Sequence, residues 1–161
     1  MNKSNKESIP VIDLSPLYQG NEQAMDTLVH QIYDAYSKVG FAYITNHGVD
    51  SDLINDVFEA SRQFHALSLE DKLRIEINQF HRGYIPINTS TDRTSVIEKA
   101  AKPNQSESFM MMHELEQDDP DVLQRYPLAG PNQWPADLKG FRESVTGYHD
   151  ALELLSNMVL K

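Results

Sequence analysis

The chain has 161 residues, with 14 Lys and Arg against 24 Asp and Glu, giving a formal net charge of −10. At roughly 150 residues per domain, that length holds one domain or a piece of a larger one. The acidic balance argues against a nucleic-acid partner or an anionic membrane surface, because phosphate binding needs a basic patch. Cysteine is absent, which removes disulfides, thiolate nucleophiles and Cys-based metal sites together. No stretch approaches the roughly 20 apolar residues that span a bilayer, and residues 1–8 are polar and lead into no apolar run. Neither a secretory signal nor a membrane anchor is expected, and the expected location is the cytoplasm.

In chain order, residues 1–8 read as a disordered tail. Ile9-Pro10-Val11-Ile12-Asp13-Leu14 alternates as a short strand, which Ser15-Pro16 breaks. Between Glu22 and Val39, the apolar positions Met25, Leu28, Val29, Ile32, Tyr33, Tyr36 and Val39 recur at helical spacing, with Gly40 as the stop. Phe41 to Thr45 is rich in strand formers and runs into the turn Asn46-His47-Gly48, which His47 is expected to cap. Asp50, Ser51 and Asp52 offer N-caps to a second helix, whose stripe is Leu53, Ile54, Val57, Phe58, Phe64 and Leu67. Ser68-Leu69-Glu70-Asp71 resembles a capping box and starts a separate short helix.

Arg82-Gly83-Tyr84-Ile85-Pro86 continues as extended chain, since the residue before a proline avoids the α conformation. Residues 88–106, rich in Thr, Ser, Asn and Lys, read as a solvated loop or insertion. Glu107 to His113 is apolar enough for a strand, and 114–137, with Pro120, Pro127, Pro131 and Pro135, forms an irregular connection. From Leu138 a helical stripe runs through Phe141, Val145, Tyr148, Leu152, Leu155 and Val159, and it is still running at Lys161, so a continuation is expected. The fold class is α+β.

Residue chemistry alone points to no complete catalytic site. The histidines are His30, His47, His65, His81, His113 and His149, and no His-x-Asp, His-x-Glu or His-x-x-x-His spacing occurs among them. The adjacent pairs His113-Glu114 and His149-Asp150 diverge on either a helix or a strand, so neither chelates easily. Arg-x-Ser, which can grip a carboxylate, occurs at Arg93-Thr94-Ser95 and Arg142-Glu143-Ser144, and both copies read as solvated. Glycine-rich phosphate loops are missing, and Asp118-Asp119-Pro120-Asp121 reads as a solvated acidic turn. Met110-Met111-Met112 suits either a core strand or a flexible apolar pocket. Arg82-Gly83-Tyr84 combines a carboxylate-pairing guanidinium, a residue that admits close backbone approach and an amphipathic wall.

Several of these segments, in this order, resemble one family. They are Ile9 to Leu14, Gly40-Phe41-Ala42-Tyr43-Ile44-Thr45-Asn46-His47-Gly48-Val49, Phe64-His65-Ala66-Leu67 with Lys72, and Arg82-Gly83-Tyr84. The last is Glu107-Ser108-Phe109 with Gly130-Pro131-Asn132-Gln133-Trp134-Pro135 and Phe141-Arg142. Together they are similar to the N-terminal region of the isopenicillin N synthase-like, 2-oxoglutarate- and Fe(II)-dependent oxygenases.

The resemblance implies N-terminal helices and short strands over 9–137, and over 138–161 the start of a long helix that leads to a double-stranded β-helix (jelly-roll) core absent from this chain. In the family, Fe(II) is held by His-x-Asp and a distant His, and an Arg-x-Ser binds 2-oxoglutarate, all downstream of that helix. The resemblance therefore implies Fe(II) and 2-oxoglutarate for a longer enzyme and neither for this chain alone, with no catalytic or metal residue here. Substrate contacts are implied at Arg82 and Tyr84, joined by Met110 and Met112, which share a strand face. The implied partners are a small organic substrate and the chain's own jelly-roll half. The alternative is a non-catalytic remnant or partner-binding module of the same ancestry.

Overall fold

The structure, a computed structural model, describes residues 8–89, 91, 96 and 102–161. The predicted tail up to residue 7, most of the expected 88–106 loop and Arg93-Thr94-Ser95 lie outside the described residues. The chain divides into two units: Met1–Ile54 with Gly147–Lys161, and Asn55–Thr146.

In the first unit, β1 (Val11–Asp13) pairs in parallel with β2 (Tyr43–Thr45), Val11 opposite Tyr43 and Asp13 opposite Thr45. Parallel strands need a crossover, and α1 (Pro16–Gln19) and α2 (Glu22–Lys38) supply it. Ser15-Pro16, expected only to break the strand, also begins α1. A proline at the first helical position loses no hydrogen bond, and its fixed φ suits the helix. Asn21 caps α2 by accepting from the backbone N–H groups of Gln23 and Ala24.

Ile12, Leu14, Leu28, Ala35 and Leu155 form the core, with Met25, Ile32 and Ala42 packed around it. The stripe read along α2 divides in the structure: Leu28 is buried, whereas Val29, Tyr33 and Tyr36 are exposed. The turn behaves as expected. The His47 ring nitrogen Nδ1 accepts from the backbone N–H of Val49 at 3.1 Å, and the His47 carbonyl accepts from the Tyr18 hydroxyl at 2.6 Å.

The second unit takes up most of α3 (Ser51–His65), followed by α4 (Leu69–Leu73). Ser68 caps α4 as the sequence predicts: its Oγ accepts from the Asp71 N–H at 3.1 Å and donates to the Asp71 carboxylate at 2.7 Å. β3 (Gly83–Ile85) pairs antiparallel with β4 (Ser108–Met110), Gly83 opposite Met110 and Tyr84 opposite Phe109. The expected strand over 107–113 is thus shorter, ending at Met110. The expected irregular connection contains one helical turn, α5 (Pro120–Leu123), again opened by a proline.

The last helix, α6 (Phe141–Val159), begins three residues beyond the predicted Leu138, because Gly140 at φ +79° interposes a left-handed residue. Leu138 still packs on the core, made of Ala60, Phe64, Tyr84 and Phe141 with Phe109 and Trp134 against them. Its rings meet mostly edge-on, Phe64 lying 5.2 Å from both Phe109 and Phe141 between centroids.

Candidate functional site

The segments that carry the resemblance in the second unit, Arg82-Gly83-Tyr84, Glu107-Ser108-Phe109 and Gly130 to Trp134, are bonded to one another. Arg82 is 2% exposed. Its Nη1 donates to the carbonyls of Phe80 at 2.9 Å and Leu128 at 2.5 Å, and its Nη2 to that of His113 at 3.2 Å. One guanidinium thus gathers three separate stretches of backbone, through carbonyls rather than through the carboxylate pair that its sequence context suggested. Leu128 sits at φ +65°, a conformation that costs a non-glycine residue about 1 kcal/mol or more. Burial pushes the Arg82 pKa down, opposed by the nearby charge of Glu114. Its buried Nε has no acceptor among the described residues.

Gly83, at φ +117°, leaves no space for a side chain: an added Cβ would lie 2.2 Å from the Ile75 carbonyl oxygen. The Gln133 amide nitrogen Nε2 fills the same side, donating to the carbonyls of Arg82 at 2.7 Å and Glu76 at 2.9 Å. Gly130 admits the Phe80 ring, which an added Cβ would meet at 2.8 Å. Asn132 clasps Met112, accepting from its N–H at 3.0 Å and donating to its carbonyl at 2.7 Å. Glu114 accepts from the Asn132 backbone and carboxamide at 3.0 and 3.2 Å, and from the Trp134 indole at 3.1 Å. Burial alone would raise the Glu114 pKa, and these donors, with the Arg142 charge, lower it on balance. Arg142 is exposed, as expected, and also lies 3.7 Å from Glu114 and over the Trp134 ring, 5.6 Å from its centroid.

Tyr84 joins a second group. It is 1% exposed, and its hydroxyl donates to the Glu107 carboxylate through a short bond. The buried Lys72 ammonium donates to both Glu107 oxygens at 2.9 and 3.1 Å and to the His65 carbonyl at 3.2 Å, which uses all three of its protons. It also lies 5.3 Å from the centroid of the Tyr84 ring. The His65 ring nitrogen Nδ1 stands 3.2 Å from Glu107. The Tyr84 bond and then the Lys72 bonds hold the Glu107 carboxyl down at about 2. Burial, reinforced by Glu107, pushes the Tyr84 phenol up to about 12. The group ties the end of α3, α4 and β3 to the residue just before β4.

Of the four residues that the resemblance implies at the substrate, Arg82 and Tyr84 thus lie in the interior of the second unit, bonded to the protein. Met110 is exposed, on the face of β4 opposite to Phe109, and Met112 is half-buried just beyond the strand end. Residue chemistry alone had passed over Lys72, Glu107, Asn132 and Gln133, whose partners lie mostly 18 to 57 residues away in sequence. Their one available sign was membership of the motifs.

Comparisons with known proteins give the family. The family model described as the non-haem dioxygenase in morphine synthesis N-terminal region matches residues 9–137. The chain belongs to that family, the N-terminal region of the 2-oxoglutarate- and Fe(II)-dependent oxygenases. It is 33% identical to the 2-oxoglutarate-Fe(II) type oxidoreductase hxnY of Emericella nidulans, over 94% of this chain and 43% of that protein. It is 30% identical to a homoarginine-6-hydroxylase of Arabidopsis thaliana, over 97% of this chain and 44% of that one. The crystal structure of a full-length Neurospora crassa protein in complex with alpha-KG superposes with a TM-score of 0.72 at 27% identity, covering 98% of this chain and 46% of that one. The chain spans a little under half the length of these relatives.

The residues present do not fit the family's metal centre. Two histidines and a carboxylate must converge to make a facial triad with open positions. Among the described residues, one group of metal-ligating side chains converges, His149, Asp150 and Glu153, with ligand atoms within 4.8 Å of one another. It offers a single histidine, and all three donors come from adjacent turns of one helix, so it cannot make the triad. Among the described residues no helix is long and apolar enough to cross a membrane.

Proposed function

We propose that this chain is the N-terminal part of a non-haem Fe(II), 2-oxoglutarate-dependent oxygenase. The whole enzyme oxidises a small organic substrate in the cytoplasm by hydroxylation, desaturation or ring closure. The observation that carries this reading is the single bonded framework made by Arg82-Gly83-Tyr84, Glu107-Ser108-Phe109 and Gly130 to Trp134, which are among the segments that resemble this family. The catalytic jelly-roll half, with Fe(II) and 2-oxoglutarate, belongs to a longer protein, and this chain alone turns nothing over.

Within that enzyme Met110 and Met112 line the substrate pocket, and Arg82 and Tyr84 serve the substrate by holding β3 and β4 in place. The first unit contributes the surface for the jelly-roll half: an apolar groove of about 370 Å³ lined by Tyr36, Ile44, Leu152, Val159 and Leu160 among others. The groove is lined almost wholly by apolar side chains, and the relatives have more than half their length beyond the matched part to cover it.

The test takes the longest natural form of the protein from its source cells. Its intact mass is expected well above 18.4 kDa, and with Fe(II), 2-oxoglutarate and O₂ it is expected to release succinate, more so with its organic substrate. The 161-residue chain is expected to release none. A natural form of 18.4 kDa overturns the reading in favour of a non-catalytic partner-binding module.

A further inference from the structure

We propose that Asn132 is a positioning residue: its carboxamide fixes the backbone of Met112 and thereby the directions in which Met110 and Met112 present their thioethers. The inference rests on the reading above that these two methionines line the substrate pocket.

β4 loses its sheet partner at Met110, opposite Gly83, where β3 begins. The chain beyond that point needs another source of hydrogen bonds to hold its course. Asn132, 9% exposed, supplies the pair that a residue on a neighbouring strand would exchange with Met112: acceptance from its N–H at 3.0 Å and donation to its carbonyl at 2.7 Å. The side chain thus extends the ladder where no strand remains.

The carboxamide has one workable orientation. Its Nδ2 serves the Met112 carbonyl and the Glu114 carboxylate together, at 2.7 and 3.2 Å, so a flipped amide would set oxygen against two oxygens. Glu114 is itself held by the Asn132 backbone and the Trp134 indole. Arg82 anchors the next residue, His113, through its carbonyl. Met112 is therefore held directly, and its neighbour His113 independently. A methionine is unbranched with three rotatable bonds, so the wall that it offers a substrate is only as well defined as the backbone beneath it. Serine, leucine or glycine at position 132 would each lose one or both bonds.

The experiment uses the longest natural form with its methionine methyl groups labelled for NMR, so that no substrate is needed. Met25 and Met158, in the first unit, act as internal references. In Asn132→Ala the Met112 amide is expected to exchange at least tenfold faster. The Met110 and Met112 methyl resonances should move towards the positions of unstructured methionine, while Met25 and Met158 stay fixed. Asn132→Asp keeps the acceptor and loses the donor, and is expected to fall between wild type and Asn132→Ala.

Unchanged Met110 and Met112 resonances in the folded Asn132→Ala protein would overturn the proposal. So would a uniform loss of all methionine resonances in both variants, which would make Asn132 a general stability residue. Met110→Ala and Met112→Ala, assayed in parallel for KM on the substrate that stimulates succinate release, test the pocket reading separately. If both leave KM unchanged while the methyl response to Asn132→Ala stands, the pocket reading falls and the positioning role remains.

Discussion

The two units are held together by different means. The first closes on aliphatic side chains, Ile12, Leu14, Leu28 and Leu155, and its polar side-chain bonds lie mostly at the surface: an Asn cap, Asn46 on the Asp13 carboxylate and a tyrosine hydroxyl on the His47 carbonyl. The second closes on aromatic rings, and its polar side chains reach across the sequence, as Arg82 does to His113 and Leu128 and Gln133 to Glu76. Among the described residues both units have only three-residue strands, so neither has a sheet large enough to organise its loops. In the first a helical crossover does that work. In the second it falls to side-chain donors aimed at backbone carbonyls, and these are the residues of the family motifs. Arg82 and Tyr84, which the resemblance implies at the substrate, are among the side chains bonded into this interior.

The largest expected effect separates the two cores. Phe64 is fully buried and meets four other rings, His65, Tyr84, Phe109 and Phe141. Phe64→Ala removes those contacts and leaves a cavity among stiff aromatic groups that cannot collapse into it, at a cost of about 4 kcal/mol. Leu28→Ala in the first core is expected to cost less, about 3 kcal/mol, because smaller aliphatic neighbours relax more readily. Urea denaturation of both variants checks the order, and an equal or reversed cost would remove the distinction between the cores.

The next effect tests the polar half of the comparison. Glu107→Gln leaves the Lys72 ammonium buried without a counter-charge and is expected to cost about 3 kcal/mol. Adding Lys72→Met should restore most of that loss, since the ammonium then no longer needs pairing. The same carboxylate sets a pH dependence. Its folded pKa, about 2, lies below the ordinary 4.5, so its contribution is complete above about pH 4.5 and fades as the pH falls towards 2. The Tyr84 phenol is raised from 10 to about 12, so its contribution is complete below about pH 10 and fades as the pH climbs towards 12. Stability of the wild type measured against pH should show both limbs, and Glu107→Gln should flatten the acid one. An acid limb that survives the substitution unaltered would place its origin elsewhere.

Much of the architecture was legible in the sequence, because the governing signals are local. The period of 3.6 gave α2, α3 and α6, the Ser68 box gave α4, and the residue before Pro86 gave an extended β3. The errors are local too. Pro16 reads as a strand breaker and Pro120 as part of an irregular connection, whereas each opens a short helix, because a first-turn proline forfeits no hydrogen bond. The site was less legible, for a different physical reason. Asn132 and Met112 stand 20 residues apart, and Lys72 and Glu107 stand 35 apart. No periodicity reports which distant carbonyl a guanidinium or carboxamide will find. The resemblance singled out these segments; only the fold showed that Arg82 and Tyr84 face inward while Met110 is left outside.

The smallest effect sharpens the comparison most, because it applies one chemical change to both units. Asn21 and Ser68 are each an N-cap whose removal intrinsically costs about 1 kcal/mol. Asn21 opens α2, a helix of 17 residues whose buried face would hold it in place without the cap, so Asn21→Ala should fray the first turn and leave the rest untouched. Ser68 opens α4, of five residues, too short to persist on its own propensity. That helix carries Lys72 into the Glu107 and Tyr84 group. Ser68→Ala should therefore loosen the ammonium as well as the cap, and move the midpoint of the acid limb upward towards pH 4.5 as Glu107 loses a donor. Asn21→Ala should not move that midpoint. If both variants shift it equally, α4 is not what places Lys72. If neither does, the ion pair is strong enough to hold the short helix in place without the cap that begins it.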